Sequence, residues 1–128
     1  MILVDTTVVV AYLRSGEARL LSAFAAHNAA ICGVTRAEIL HGIRQPADHP
    51  RFVAALDAFA QVSLPEGLWD QTGLHLAALR RAGISMPLAD VIIATLAMHL
   101  DVELWSRDQH HLMLQSAVPQ LRLFEEPP

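Results

Sequence analysis

Lysine is missing from this chain of 128 residues: all nine basic residues are arginine, against thirteen acids, for a net charge of -4. The absence removes whole mechanisms. A P-loop needs its lysine, a Schiff-base enzyme needs one too, and a receiver domain normally sets a lysine against its acidic pocket. Nor is there a strong basic patch of the kind that coats nucleic acid, so any nucleic acid must be held locally or through a partner. Cysteine occurs once, at Cys32, which excludes an intrachain disulfide. Its apolar setting, "AAICGV", marks a small core residue in a reducing compartment. No apolar run reaches the roughly eighteen residues of a membrane span, and no basic stretch precedes the first apolar run, so a soluble, unexported, cytoplasmic protein is expected. Aromatics make up only 5% of a chain that is 53% hydrophobic, so Leu, Ala, Val and Ile must fill the core, as in a helix-rich or α/β domain. Length, and the lack of repeats or linkers, point to a single domain over residues 1–128.

What is present alternates short apolar runs with helical patterns. "MILV" and "AAICGV" read as buried strands. The first is followed by "VVVAYL" and "EARLLSAFAAH", two helices broken at Ser15-Gly16; the second is followed by "TRAEILHGIR", ended by Pro46. A helix is expected over 50–60, a short strand at "QVSLP", and a helix over 68–82 stopped by Gly83. "PLADVIIATLAMHL" is apolar on nearly every side, which marks a central buried helix. "VELWS" is a fourth strand candidate, a short helix follows Asp108, and "LRLF" is a last strand. Strands separated by helices imply parallel pairing, hence an α/β fold with a small central parallel sheet flanked by helices.

Four acids stand at related places in this pattern. Asp5 ends the first strand, Glu38 falls in the first turn after the second, Asp90 opens the central helix and Asp108 follows the fourth strand. The C-terminal ends of parallel strands share one edge, where ligand crevices form, so these acids are expected to approach one another. Taken singly, each is equally well explained as a helix cap. "TRAE" even reads as a capping box, with Thr35 as cap and Glu38 reaching back. Two features weigh against plain capping. Hydroxyls already stand beside each acid (Thr6, Thr7, Thr35, Ser85, Ser106), and four converging carboxylates without a lysine repel one another unless a cation neutralises them. Carboxylate and hydroxyl oxygens are hard ligands that suit Mg²⁺ or Mn²⁺.

Rival chemistries fit less well. His110 and His111 are adjacent rather than spaced on one helical face, and no H-E-x-x-H or C-x-x-C occurs, which disfavours zinc. No G-x-S-x-G elbow exposes a serine, and Cys32 sits in an apolar strand. An aspartyl-nucleophile phosphatase would want D-x-D after the first strand, where this chain has Asp5-Thr6-Thr7.

Taken together, "ILVDTTVVVAYL", "VTRAEILHGIR", "MPLADVIIATLA" and "LWSRDQHHL" resemble, in order and spacing, the four acidic motifs of PIN-domain proteins, specifically the VapC-type toxins of bacterial toxin–antitoxin pairs. The similarity spans nearly the whole chain, and the first and third motifs are its most specific parts. It implies a three-layer PIN-like fold and a metal-dependent endoribonuclease that cleaves RNA with the help of Mg²⁺ or Mn²⁺. Its cognate antitoxin, of VapB type, would block it by inserting a C-terminal segment near the site. Asp5 and Asp90 would be the principal metal ligands, with Glu38 and Asp108 completing the pocket directly or through water. Thr7 and Ser106 match hydroxyl positions that often line it. The resemblance also suggests a homodimer, with Arg14, Arg36, Arg44 and Arg107 as candidate phosphate or antitoxin contacts. His110 and His111 depart from the pattern, since many members carry an acid and then an aromatic residue there. Two other functions share these residues: a PIN-like module that binds antitoxin or RNA without turnover, and a DNA nuclease using the same acids.

Overall fold

The computed structural model describes residues 1–127. Its elements follow the alternation of the sequence: β1 (Ile2–Val4), α1 (Thr6–Ser15), α2 (Ala18–Ala26), β2 (Ala29–Cys32), α3 (Gly33–His41), a 3-10 turn at Pro46–Asp48, α4 (His49–Asp57), β3 (Ala60–Val62), α5 (Leu68–Arg81), α6 (Leu88–His99), β4 (Leu104–Trp105) and α7 (His110–Ala117). The break between α1 and α2 is made at Gly16, whose left-handed backbone (φ 63°) closes α1 with a bond from its N–H to the Tyr12 carbonyl. That conformation costs glycine nothing, because it has no Cβ to clash.

The four strands are all parallel and ordered β3-β2-β1-β4, with Leu3 opposite both Ala30 and Leu104. Side chains alternate between the two faces with period two. Leu3, Ala30, Cys32 and Leu104 face a core built with α5, α6 and α7, whereas Ile2, Val4, Ala29, Ile31 and Trp105 face α1 to α4. Both faces are covered at β1, β2 and β4, which is why these strands are continuous apolar runs rather than alternating ones, whereas edge strand β3 is mostly exposed. Helix α6 is the central element of one layer, and every residue from Val91 to Ala97 is buried. This is the three-layer α/β architecture expected from the sequence.

Three local expectations are corrected. The capping box at "TRAE" does not form: α3 begins at Gly33, directly after the last paired residue of β2, so Thr35 lies inside the helix. Thr35 and Ile39, one helical turn apart, are buried on its core face, while Glu38 is exposed in the second turn rather than the first. Helix α3 also stops at His41, well before Pro46. Finally, "LRLF" contributes one parallel bridge, Leu104 to Leu123, and no full strand. Strand β4 is only two residues long and offers no further pairing. The tail beyond it is held instead by side chains, with Glu126 accepting from Trp105 Nε1 at 2.8 Å and from Arg107 Nε at 2.7 Å.

Candidate functional site

Asp5 leaves β1 in an extended conformation and caps α1. Its Oδ1 accepts from Thr7 N at 3.0 Å, Val8 N at 3.3 Å and Thr7 Oγ1 at 2.6 Å, while Oδ2 accepts from Ser106 Oγ. Capping and pocket-building are therefore not alternatives here, although hydroxyls stand close by. The same holds for Asp108, whose Oδ1 accepts from His110 N at 2.9 Å at the entry to α7. Asp90 has no hydroxyl rival either, because Pro87 and not Ser85 precedes α6 and no side chain caps that helix.

The two expected hydroxyl positions join the strand ends. Thr7 Oγ1 donates to Asp5 and accepts from Arg107 N at 2.9 Å. Ser106 Oγ donates to Asp5, accepts from Asp108 N at 3.0 Å and lies 3.0 Å from His111 Nδ1. A backbone bond from Asp5 N to Trp105 O completes the junction between β1 and the loop after β4. Asp5 is thereby fixed at 3% exposure, with its carboxylate ringed by donors.

Glu38 reaches this junction from α3, where its Oε1 accepts from Thr6 Oγ1 at 2.7 Å. Asp90 arrives in the first turn of α6. Burial pushes the Asp90 carboxyl up from its ordinary range; His111 nearby opposes the shift, and the carboxylates of Asp108, Glu38 and Asp5 reinforce it. Asp108, Glu38 and Asp5 thus all lie within electrostatic reach of Asp90.

No ion pair among the described residues joins an arginine to any of the four acids. Arg36 pairs with Asp57 at 2.7 Å, Arg107 with Glu126 at 2.7 Å and Arg122 with Asp101 at 3.0 Å. Of the arginines proposed to contact phosphate, Arg36 and Arg107 are thus already engaged, whereas Arg14 and Arg44 form no ion pair among the described residues. Arg14 lines a hollow of about 250 Å³ together with Glu38 and Phe52. Among the described residues, no group of three or more His, Cys, Asp or Glu side chains is arranged so that it could hold a metal ion. An open pocket of hard carboxylate oxygens is nonetheless the setting in which Mg²⁺ or Mn²⁺ keeps several waters and takes few protein ligands. The donor set fits such an ion and suits neither zinc nor a softer metal.

Two contributors escape sequence reasoning. His111 is 1% exposed beside Asp5, with Nδ1 3.9 Å from Oδ2. Its spacing of three from buried Leu114 on α7 is the one pattern that hints at an inward ring. Glu126 clasps the loop through Arg107, and no local signal marks a contact across about twenty residues.

A sequence profile of the PIN domain matches residues 2–114. The chain belongs to the PIN-domain family. A comparison with curated proteins finds no match. This PIN domain is similar in structure to VapBC2 from Rickettsia felis bound to a DNA fragment from its promoter, with TM-score 0.81 and 18% identity over 99% of this chain and 100% of that one. DNA-bound VapBC from Salmonella typhimurium gives TM-score 0.80 at 17% identity, covering 96% of each chain. FitAcB from Neisseria gonorrhoeae gives 0.75 at 17%, covering 98% of this chain and 97% of that one. At these identities the likeness establishes a shared fold for the PIN domain described above. None of its described helices is long and apolar enough to cross a membrane.

Proposed function

We propose that this PIN domain is the toxin of a toxin–antitoxin pair and acts in the cytoplasm as an Mg²⁺- or Mn²⁺-dependent endoribonuclease. The observation that carries the reading is the convergence of Asp5, Glu38, Asp90 and Asp108 at one sheet edge with no arginine to neutralise them. With only His110 beside Asp108 and His111 beside Asp5 to oppose it among the described residues, the repulsion between these carboxylates favours entry of a cation. Asp5 and Asp90, with Asp108, are the residues that would hold it. A bound divalent ion supplies Lewis-acid polarisation of the scissile phosphate and a water acidic enough to attack at neutral pH.

The protein's own part is orientation and proton handling. Thr7 and Ser106 hold the two Asp5 oxygens, so the carboxylate presents a fixed face. Glu38 is exposed and its Oε1 is taken by Thr6, leaving Oε2 to accept a proton from the attacking water. Asp108 is the other candidate for that role. Arg14, beside Glu38, is placed to meet a flanking phosphate.

The partner reading rests on the similar structures, which are toxin–antitoxin complexes, and on an apolar hollow of about 290 Å³ lined by Tyr12, Leu21, Phe24 and Phe59. This hollow lies where β2 and β3 begin, at the other sheet edge from the acids, so it would seat an apolar part of a VapB-type antitoxin whose C-terminal segment would separately reach the site, and a homodimer of toxin chains would place two such sites in one assembly.

Expression of the chain alone in bacteria tests the reading. Growth arrest is expected from the wild type and not from Asp5→Asn, with co-expressed antitoxin restoring growth. Arrest that is undiminished in Asp5→Asn would contradict a nuclease mechanism on these acids.

A further inference from the structure

Ser106 has a single hydroxyl proton, and its Oγ donates it to Asp5 Oδ2. Its oxygen already accepts one bond, from Asp108 N at 3.0 Å. The third neighbour, His111 Nδ1 at 3.0 Å, can therefore form a hydrogen bond only by supplying the proton itself. Three partners thus fix one tautomer-defining feature of the ring, a hydrogen on Nδ1.

The other ring nitrogen has the opposite character. Nε2 is buried and has no partner among the described residues, and the ring as a whole is 1% exposed. A buried polar atom without a partner is destabilising, so an apolar ring would suit this position better if packing were its only role. The hydrogen bond that this imidazole makes is therefore made through Nδ1.

We propose that His111 is a positioning residue: its Nδ1–H locks the Ser106 hydroxyl as a donor to Asp5 Oδ2 and so determines which lone pairs of Asp5 face the open pocket. The chain is Asp5–Ser106–His111, running from β1 through the loop after β4 to α7. The consequence for metal binding and cleavage rests on the nuclease reading above, whereas the hydrogen-bond direction does not.

The direct test is a long-range proton–nitrogen correlation spectrum of the metal-free, nitrogen-15-labelled protein, with the His111 ring assigned by its loss in His111→Asn. A hydrogen on Nδ1 is expected; an Nδ1 without one would overturn the proposal. This spectrum requires only the wild-type fold, since the six other histidine rings can be assigned one by one if that variant fails to fold. Mn²⁺ titration followed by electron paramagnetic resonance gives a second readout. His111→Phe is expected to weaken binding by about tenfold, as loss of a partner behind a metal ligand does. His111→Asn, whose amide N–H falls near the Nδ1 position, is expected to restore most of it. Equal affinity in wild type and His111→Phe would overturn the positioning role. No Mn²⁺ binding by the wild type would instead refute the metal-dependent reading, and the tautomer would still decide the direction of the bond.

Discussion

Asp90 is the residue at which the requirements of folding and of the site conflict. Burial and three neighbouring carboxylates push its carboxyl up, so the folded chain holds that proton more tightly than the unfolded one does. The sign follows from linkage: stability falls as pH rises from the ordinary carboxylate value through the raised native one, and the penalty stays in full above it. Asp90→Asn removes the charge and keeps the shape. In the absence of metal at neutral pH the variant is expected to melt at a higher temperature than the wild type, while losing cleavage by about a hundredfold or more. Calorimetry in EDTA checks the first part; a lower melting temperature would mean that burial and the neighbouring carboxylates do not penalise a charged Asp90. Asp5, Asp90 and Asp108 were legible in the sequence because each sits at a strand end or helix start that the apolar pattern marks, whereas Glu38, expected in the first turn after β2, lies in the second turn of α3. The hydroxyls of Thr7 and Ser106 were marked as pocket positions by the family resemblance and not by the apolar pattern. His111 was not, because its role depends on which way a ring turns inside the fold.

Among the elements, the loop from Ser106 to Asp108 depends on a clasp outside the site. Arg107 gives its backbone N–H to Thr7 and its guanidinium to Glu126, which also takes the Trp105 indole proton. The Arg107 hydrogen bond holds the Glu126 carboxyl below its usual range, with the Trp105 bond acting in the same direction. Because the folded value is the lower one, the clasp contributes at pH above the unfolded carboxyl's ordinary value of about 4.3 and is lost as pH falls through the native value. Glu126→Gln is expected to cost up to about 1 kcal/mol near neutrality, as partly exposed ion pairs do, and nothing in acid once both chains carry a neutral side chain there. Thermal melts across pH check this, and a gap that widens in acid would contradict it. Sequence pattern located the strand before this loop and the helix after it, yet it gave "LRLF" more pairing than a two-residue β4 can offer. It also placed the start of α3 at Thr35, since a hydroxyl with a glutamate three residues on mimics a cap wherever the true boundary lies.

For the molecule as a whole, the arrangement follows from covering both faces of a small parallel sheet. Apolar runs too short for helices became β1 and β2, the run apolar on all sides became α6 between neighbours, and the strand ends were left at one edge with the acids. That much could be read from periodicity, because burial on two faces leaves a continuous hydrophobic signature. The long-range ties at that edge, such as Glu38 to Thr6 and Asp5 to Ser106, could not, since they join residues far apart in the chain. The central claim is that this edge cuts RNA with a divalent ion held by the acids. It is tested most directly by incubating the purified, antitoxin-free protein with labelled RNA and single-stranded DNA in Mg²⁺, Mn²⁺ or EDTA, beside Asp90→Asn. RNA cleavage that needs the metal and disappears in the variant is the expected result; cleavage that persists in EDTA or in Asp90→Asn would contradict the account.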